Sequence, residues 1–152
     1  VSAKACVEEA LERYPFGSHL ERSRVTAYYD TDFELLGSRL LVVHVLFNLI
    51  KNALFHTSRA GKGEIELRVT ADAENNRIVC RDTGPGIPSD VLPRIFDRFY
   101  SSATDVSTGL GIGLAFVRGA LERMRAPIHC RSVAGEFTEF TIVFPSVSEE
   151  NS

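Results

Sequence analysis

The sequence predicts an α/β (α+β) two-layer sandwich, in which a mixed, mostly antiparallel sheet packs against helices. Segments with helical periodicity alternate with pairs of short strands, and a long loop precedes the last helix. Strand pairs placed between helices favour a sheet of this kind with the helices on one face. At 152 residues the chain has the size of one domain. We expect residues 1–146 to form that domain and residues 147–152 to be a polar tail.

The first half of the chain carries two predicted helices. Residues 3–14 have a partial apolar stripe and read as a short helix. Residues 24–29 and 33–37 are rich in β-branched, aromatic and aliphatic residues, which predicts two short strands around a turn. Ser38 is a suitable N-cap for a long helix over 39–56, where apolar residues recur at helical spacing.

The second half is richer in strands. Residues 64–72 alternate in polarity, and a turn at Asn75-Asn76 leads into a second strand at 77–82, which predicts a hairpin. Residues 83–109 are rich in Gly, Pro, Ser and Thr, which predicts a long loop with a helical turn near 89–96. A last helix over 110–124 and a closing hairpin complete the pattern. The strands of that hairpin are 128–133 and 137–144.

Composition excludes several classes of protein. The net charge of −3 and the scattered basic residues argue against a nucleic-acid partner. Cys6, Cys80 and Cys130 are far apart and odd in number, so we expect free thiols in a reducing compartment. We find no apolar run of the ~20 residues that span a bilayer, and no signal peptide. Because the chain opens at Val1, we expect it to be a piece of a longer protein.

Three polar residues interrupt the long apolar helix. Asn48, Asn52 and His56 are spaced by four residues and therefore share one face. Amide oxygens suit Mg²⁺, which keeps waters and binds phosphate oxygens. The pattern thus indicates a cation and phosphate site. A solvated face, or amides that cap the helix end, would give the same pattern.

A second candidate site is the segment DTGPGIP at 82–88. Asp82 ends a strand, where its carboxylate could accept a hydrogen bond from an exocyclic amine such as that of adenine. Gly84 and Gly86 permit close approach of a ligand. An ordinary turn has the same composition.

The third candidate is GLGIGL at 109–114, just before a helix without an acidic first turn. The free N–H groups of such a helix start attract anions. The segment is neither a Walker A loop nor a dinucleotide-binding fingerprint, because no GKS/T follows and no strand directly precedes it. A flexible junction between loop and helix is the alternative.

Together the motifs resemble the GHKL ATPase superfamily and, within it, the catalytic domain of bacterial sensor histidine kinases. The matching motifs are NLIKNALFHT (48–57), DTGPGIP (82–88), IFDRFY (95–100), GLGIGLAF (109–116) and FTEFTIVFP (137–145). Further similarity, in YPF at 14–16 and around these motifs, is to autoinducer-sensing hybrid kinases. The resemblance implies the Bergerat (GHKL) fold, with Mg²⁺ and ATP bound under a mobile lid at 88–108.

The resemblance also implies roles for individual residues. Asn52 would ligate Mg²⁺, Asn48 would support the phosphates, and Asp82 would hold the adenine amino group. The base pocket would be formed by His56, Gly84, Gly86, Ile87 and Thr138. Phe96 and Phe99 would anchor the lid, and its hinge, which would also present amides to the phosphates, would be formed by Gly109, Gly111 and Gly113. Phe99 and Leu114 would also bind the nucleotide.

Position 48 bears on the type of reaction. GHKL hydrolases carry a glutamate there as a general base for water, and an amide cannot take that proton. Asn48 therefore favours a kinase that passes the γ-phosphoryl group to a histidine. None of the four histidines lies in the expected acceptor motif, so the acceptor is expected on a separate dimerisation domain, with a response regulator downstream. The parent protein is expected in the bacterial inner membrane, with this domain in the cytoplasm and without direct membrane contact.

Three positions depart from the pattern of the superfamily. Phe55 and Ser101 stand where relatives often carry a basic residue, and Leu110 stands where Thr is common. Arg98 is the best remaining candidate for a catalytic phosphate contact, and Lys51 is a weaker one. Two alternatives stay open: an anti-sigma-type serine kinase and a degenerate nucleotide-binding or interaction module.

Overall fold

A computed structural model of the chain describes residues 1–97 and 113–146. The helices are α1 (Ala3–Arg13), α2 (His19–Ser23), α3 (Arg39–Ala60) and α4 (Gly113–Arg123), with a 3₁₀ turn at Leu92–Arg94. The strands are β1 (Val25–Tyr29), β2 (Ile65–Ala71), β3 (Asn76–Asp82), β4 (Ile128–Val133) and β5 (Phe137–Phe144).

The five strands form one sheet in the order β1-β2-β3-β5-β4. β1 runs parallel to β2, and the other three pairs are antiparallel. The predicted mixed, mostly antiparallel sheet is therefore confirmed. The pairing places the ends of β3, β4 and β5 side by side, with Asp82 opposite Thr138 and Thr138 opposite Ser132.

The core lies between the inner face of the sheet and the helices. Alternate residues of β2, β3 and β5 are buried, which is the period-two pattern of a sheet covered on one face. α3 contacts α1, α4 and β3, so it is the central helix of the second layer. Its buried residues are Val42, Val43, Val45, Leu46, Leu49, Ile50, Ala53, Leu54 and Thr57.

α3 begins at its predicted cap and ends later than predicted. The Ser38 hydroxyl accepts a hydrogen bond from Leu41 N, and Gly61 ends the helix in the left-handed conformation. The helix continues to Ala60, and Thr57 is buried on its apolar face with its hydroxyl donating to the Ala53 carbonyl. Contrary to our expectation, α3 is long and apolar enough to cross a membrane by length and composition alone; half of its most apolar 18-residue window is buried in this fold, as in the core helix of a folded domain.

Two short elements differ from the sequence prediction. Residues 33–37 form no strand, since Ser2 and Glu34 make only an isolated bridge. α1 already begins at Ala3, so the facing segment is too short for a longer ladder. α2 was not predicted; the Ser18 hydroxyl caps it by accepting from Glu21 N.

Candidate functional site

The polar face of α3 meets the start of α4. Asn48, Asn52 and His56 are all half-buried, so this face is not simply solvated. Asn48 Nδ2 donates to the His44 carbonyl at 2.9 Å. A β-carbon at position 113 would lie 3.0 Å from Asn48 Oδ1, so the missing side chain of Gly113 lets the two helices come together there. The first turn of α4 thus lies beside the amide of Asn48.

Asp82 is the buried carboxylate of the site. It ends β3 and is only 2% exposed. Its Oδ1 accepts from Gly84 N at 3.0 Å, and its Oδ2 lies 3.4 Å from His56 Nδ1. A carboxylate oxygen has two lone pairs, so Oδ2 keeps acceptor capacity on the side of His56. This arrangement can bind a ligand that donates from an amino group.

Two glycines bring the segment after Asp82 close to its neighbours. A β-carbon at Gly84 would lie 2.9 Å from Asp82 Oδ1 and 3.2 Å from His56 Cβ. Gly86 has φ +72°, and a β-carbon there would lie 2.3 Å from the Val133 carbonyl oxygen. Both positions exclude larger residues, so the Gly-x-Gly spacing follows from local crowding.

Ser132 holds this segment against the β4–β5 hairpin, and sequence reasoning missed it. Its hydroxyl accepts from Ile87 N at 2.7 Å and donates to the Phe137 carbonyl at 2.8 Å. Gly135 N reinforces the contact by donating to the Pro85 carbonyl. A signal was present in the sequence: Ser132 is a polar residue at a position of β4 that alternation predicts to face inwards.

Thr138 is the third polar residue in this part of the site. It is fully buried, and its Oγ1 lies 3.1 Å from Ser132 Oγ. Since Ser132 has one proton and gives it to Phe137, Thr138 must donate in this contact. The remaining lone pairs of Thr138 Oγ1 are then acceptors. Asp82, Thr138 and Ser132 lie on one row of the sheet, beside His56 of α3.

The structure thus brings most predicted site residues together. Ile87 is buried beside Ser132, and Leu114 is half-buried in the first turn of α4. Phe96 packs edge-on against Phe140, with ring centroids 6.0 Å apart, and Arg118 lies over its ring. The remaining predicted residues, Arg98, Phe99, Gly109 and Gly111, lie outside the described residues, as do Ser101 and Leu110.

Two basic residues of α3, Lys51 and Arg59, have different surroundings. Lys51 is exposed on α3 and projects about 100° away from Asn52. The guanidinium of Arg59 lies over the ring of Phe55, at 5.5 Å from the ring centroid. Arg59 was not among the residues predicted from the sequence.

Comparison with known proteins identifies the family. The family model described as "Histidine kinase-, DNA gyrase B-, and HSP90-like ATPase" matches residues 37–148. The chain is 33% identical over 146 residues to the autoinducer 1 sensor kinase/phosphatase LuxN of Vibrio campbellii, covering 96% of this chain and 17% of LuxN. It is 33% identical over 139 residues to the CAI-1 autoinducer sensor kinase/phosphatase CqsS of Vibrio cholerae, covering 91% of this chain and 20% of CqsS. The chain therefore spans about a fifth of the length of these relatives.

A solved structure agrees on the fold. The mycobacterial sensor histidine kinase MprB superposes with a TM-score of 0.79 at 24% identity, covering 95% of this chain and 96% of that one. The predicted similarity to sensor kinases, including autoinducer sensors, is confirmed by these matches. The chain belongs to the histidine kinase-, DNA gyrase B- and HSP90-like ATPase family, as an ATP-binding domain homologous to those of sensor histidine kinases.

Proposed function

We propose that this domain binds Mg²⁺-ATP and passes the γ-phosphoryl group to a histidine on a separate dimerisation domain of the same protein. The observation that carries the proposal is the buried Asp82 carboxylate, fixed by Gly84 N and facing His56, on the same row as Thr138. In this proposal Asp82 accepts from the adenine amino group, and Thr138 contacts the base through water. His56, Gly84, Gly86 and Ile87 enclose the base.

The phosphates would extend from the base along α3 towards the start of α4. Asn52 offers a hard amide oxygen, so it would hold Mg²⁺ together with phosphate oxygens and water. Asn48 would support the γ-phosphate end, where it lies beside Gly113. As the family resemblance implies, further contacts to the nucleotide would come from Arg98, Phe99, Gly109, Gly111 and Leu114.

The side chain at position 48 favours transfer over hydrolysis. An amide cannot act as a general base for water, so the domain would position the nucleotide and stabilise charge while a histidine attacks. A downstream response regulator would then receive the phosphoryl group. We place the domain in the cytoplasm as part of a protein of the bacterial inner membrane.

The adenine contact is tested by Asp82→Asn. An amide nitrogen facing the adenine amino group offers a donor to a donor, so affinity for a non-hydrolysable ATP analogue should fall about 10- to 100-fold. Isothermal titration calorimetry with Mg²⁺ measures it. The matched control is Asp30→Asn, which removes the same charge from an exposed residue on the far edge of the sheet. Unchanged affinity in Asp82→Asn would place the base elsewhere.

The metal and transfer steps are tested by Asn52→Ala. We expect the dependence of binding on Mg²⁺ to disappear, together with transfer to a histidine-bearing hairpin domain supplied in trans. Radiolabelled phosphoryl transfer and calorimetry with and without EDTA measure both. If Asn52→Ala kept both properties, the metal assignment would be wrong. If the native domain bound no nucleotide, a non-catalytic interaction module would replace the kinase.

A further inference from the structure

Strand β1 lies at an open edge of the sheet. Among the described residues it pairs only with β2, so its other side faces no strand. Asp30 N and the Arg24 carbonyl both make hydrogen bonds to β2. Because the hydrogen-bonding direction alternates along a strand, the N–H and C=O groups of Val25, Ala27 and Tyr29 point away from β2.

This edge is closed at its N-terminal end and open further along. Arg22 of α2 donates from Nη1 to the Val25 carbonyl at 2.7 Å. Over residues 1–97 and 113–146, no hydrogen bond engages the outward backbone groups of Ala27 or Tyr29. These two residues therefore offer N–H donors and C=O acceptors to a further strand. Unpaired groups of this kind are a template for strand addition.

A groove with a volume of about 570 Å³ lies between α1 and the open edge. Leu11, Glu8 and Glu12 line it from α1, while Ala27 and Tyr29 line it from β1. Both β1 residues are half-buried, whereas the first three inner-face residues of β2 are buried. The inner face of the sheet is therefore incompletely covered at this edge, and an added strand would cover it.

The lining of the groove is net negative, with two carboxylates and one guanidinium. Glu8 and Glu12 are exposed one turn apart on α1, and they make no ion pair in the part of the chain that the structure describes. The guanidinium of Arg22 is held by the Val25 carbonyl and the Phe16 ring. A basic partner would neutralise the glutamates, whereas a second copy of this edge would bring four of them together.

We propose that an extended segment of a partner protein, with Lys or Arg at alternate positions, adds to β1 as a sixth strand. Its backbone bonds Ala27 and Tyr29, and its cations face Glu8 and Glu12. Alternate side chains of a strand are about 6.6 Å apart, and residues four apart on a helix are about 6 Å apart, so the two spacings match. The edge lies two strands from β3, which carries Asp82, so this interface is separate from the proposed nucleotide site.

The test uses a synthetic seven-residue peptide of alternating lysine and valine with blocked ends. Fluorescence anisotropy of the labelled peptide should show saturable binding to the domain. The same peptide methylated on its backbone nitrogens keeps its charges but donates no backbone hydrogen bonds, so its affinity should fall about tenfold or more. A peptide with glutamate in place of lysine should bind at least as weakly, because its charges oppose Glu8 and Glu12.

Variants of the domain test the edge and the charges separately. In Ala27→Pro the outward N–H is lost, while the ladder to β2 is kept because it uses other residues. We expect the affinity for the lysine peptide to fall about tenfold or more, and Ala27→Ser, which keeps the N–H, to bind as native. Glu8→Gln/Glu12→Gln should weaken binding to a similar degree, whereas Glu74→Gln, which is exposed in the β2–β3 turn, should not.

Equal affinity for the methylated and unmethylated peptides would overturn the inference, even if Ala27→Pro fails to fold. No binding of the lysine peptide by the native domain would do the same. Analytical ultracentrifugation tests the other occupant: a dimer of the native domain that Ala27→Pro dissociates would assign the edge to a second copy of this chain instead. Nucleotide affinity tests the proposed function separately, and it should be equal with and without the peptide.

Discussion

Gly86 illustrates how one residue can carry two independent constraints. Its positive φ favours glycine, and the Val133 carbonyl leaves no space for a β-carbon. Sequence reasoning assigned this glycine to the base pocket by resemblance alone. The structure supplies the physical cause, which is the close approach of two segments that lie far apart in the chain.

Gly86→Ala should therefore cost more than the left-handed conformation alone. Gly61 provides a matched control, since its φ of +70° is nearly the same and nothing lies within 4 Å of a β-carbon there. We expect Gly61→Ala to lower the free energy of unfolding by about 1–2 kcal/mol. Gly86→Ala should lower the free energy of unfolding by more than that, and it should also lower the affinity for adenosine. Urea unfolding and calorimetry measure these changes, and equal losses of stability would show that the crowding at Val133 is relieved without cost.

At the scale of elements, the β4–β5 hairpin shapes the pocket through Ser132. A single hydroxyl links the Ile87 amide, the Phe137 carbonyl and Thr138. The segment that follows Asp82 is thereby fixed to the sheet rather than left as a free loop. The predicted strands 128–133 and 137–144 match β4 and β5 closely, yet strand boundaries alone do not reveal this link.

Ser132→Ala should loosen the segment without disrupting the sheet. The Ile87 amide loses its acceptor, which costs about 1–3 kcal/mol of unfolding free energy for a buried donor. Adenosine affinity should fall severalfold, because Gly84 and Ile87 line the base pocket in our proposal. Ser58→Ala, on the exposed side of α3, is the control for loss of a hydroxyl. Native adenosine affinity in Ser132→Ala would mean that the segment holds its position without this bond.

Across the whole molecule, the three cysteines lie at buried or half-buried positions. Cys6 and Cys80 are buried and Cys130 is half-buried, all as free thiols, as expected from the sequence. Burial raises the pKa of the Cys130 thiol to about 12, with further contributions from the charges of Asp82 and Glu139. Burial also raises the pKa values of Cys80 and Cys6. These thiols stay protonated in the native state at neutral pH.

The raised pKa values predict a loss of stability at alkaline pH. Unfolded thiols ionise from their ordinary pKa of 9.0, whereas the folded Cys130 thiol holds its proton up to about 12. The unfolded state therefore binds fewer protons in that window, and stability falls as pH rises through it. Between pH 7 and 8 the thiols should have no effect. Unfolding free energies from pH 7 to 11 should decline less steeply in Cys130→Ala, and parallel curves would refute the assignment.

The fold class, the long central helix and the family were already evident in the amino-acid sequence. Periodicity and capping are local properties, so α3, the β2–β3 hairpin and the β4–β5 hairpin were predictable from neighbouring residues. The order of the motifs identified the family before any distance was known. The segment 33–37 and α2 were misjudged because a strand needs a partner of sufficient length, and a five-residue helix has too few residues to show a period.

The contacts between these residues, by contrast, became apparent from the three-dimensional arrangement of the elements. It set His56 against Asp82, Asn48 against Gly113, and Ser132 between Ile87 and Thr138. It also placed the Arg59 guanidinium over Phe55, where the sequence showed only the loss of a basic residue. The physical reason is that hydrogen bonds and close contacts depend on distances between segments far apart in the chain, whereas sequence periodicity reports only which way each residue faces within its own element.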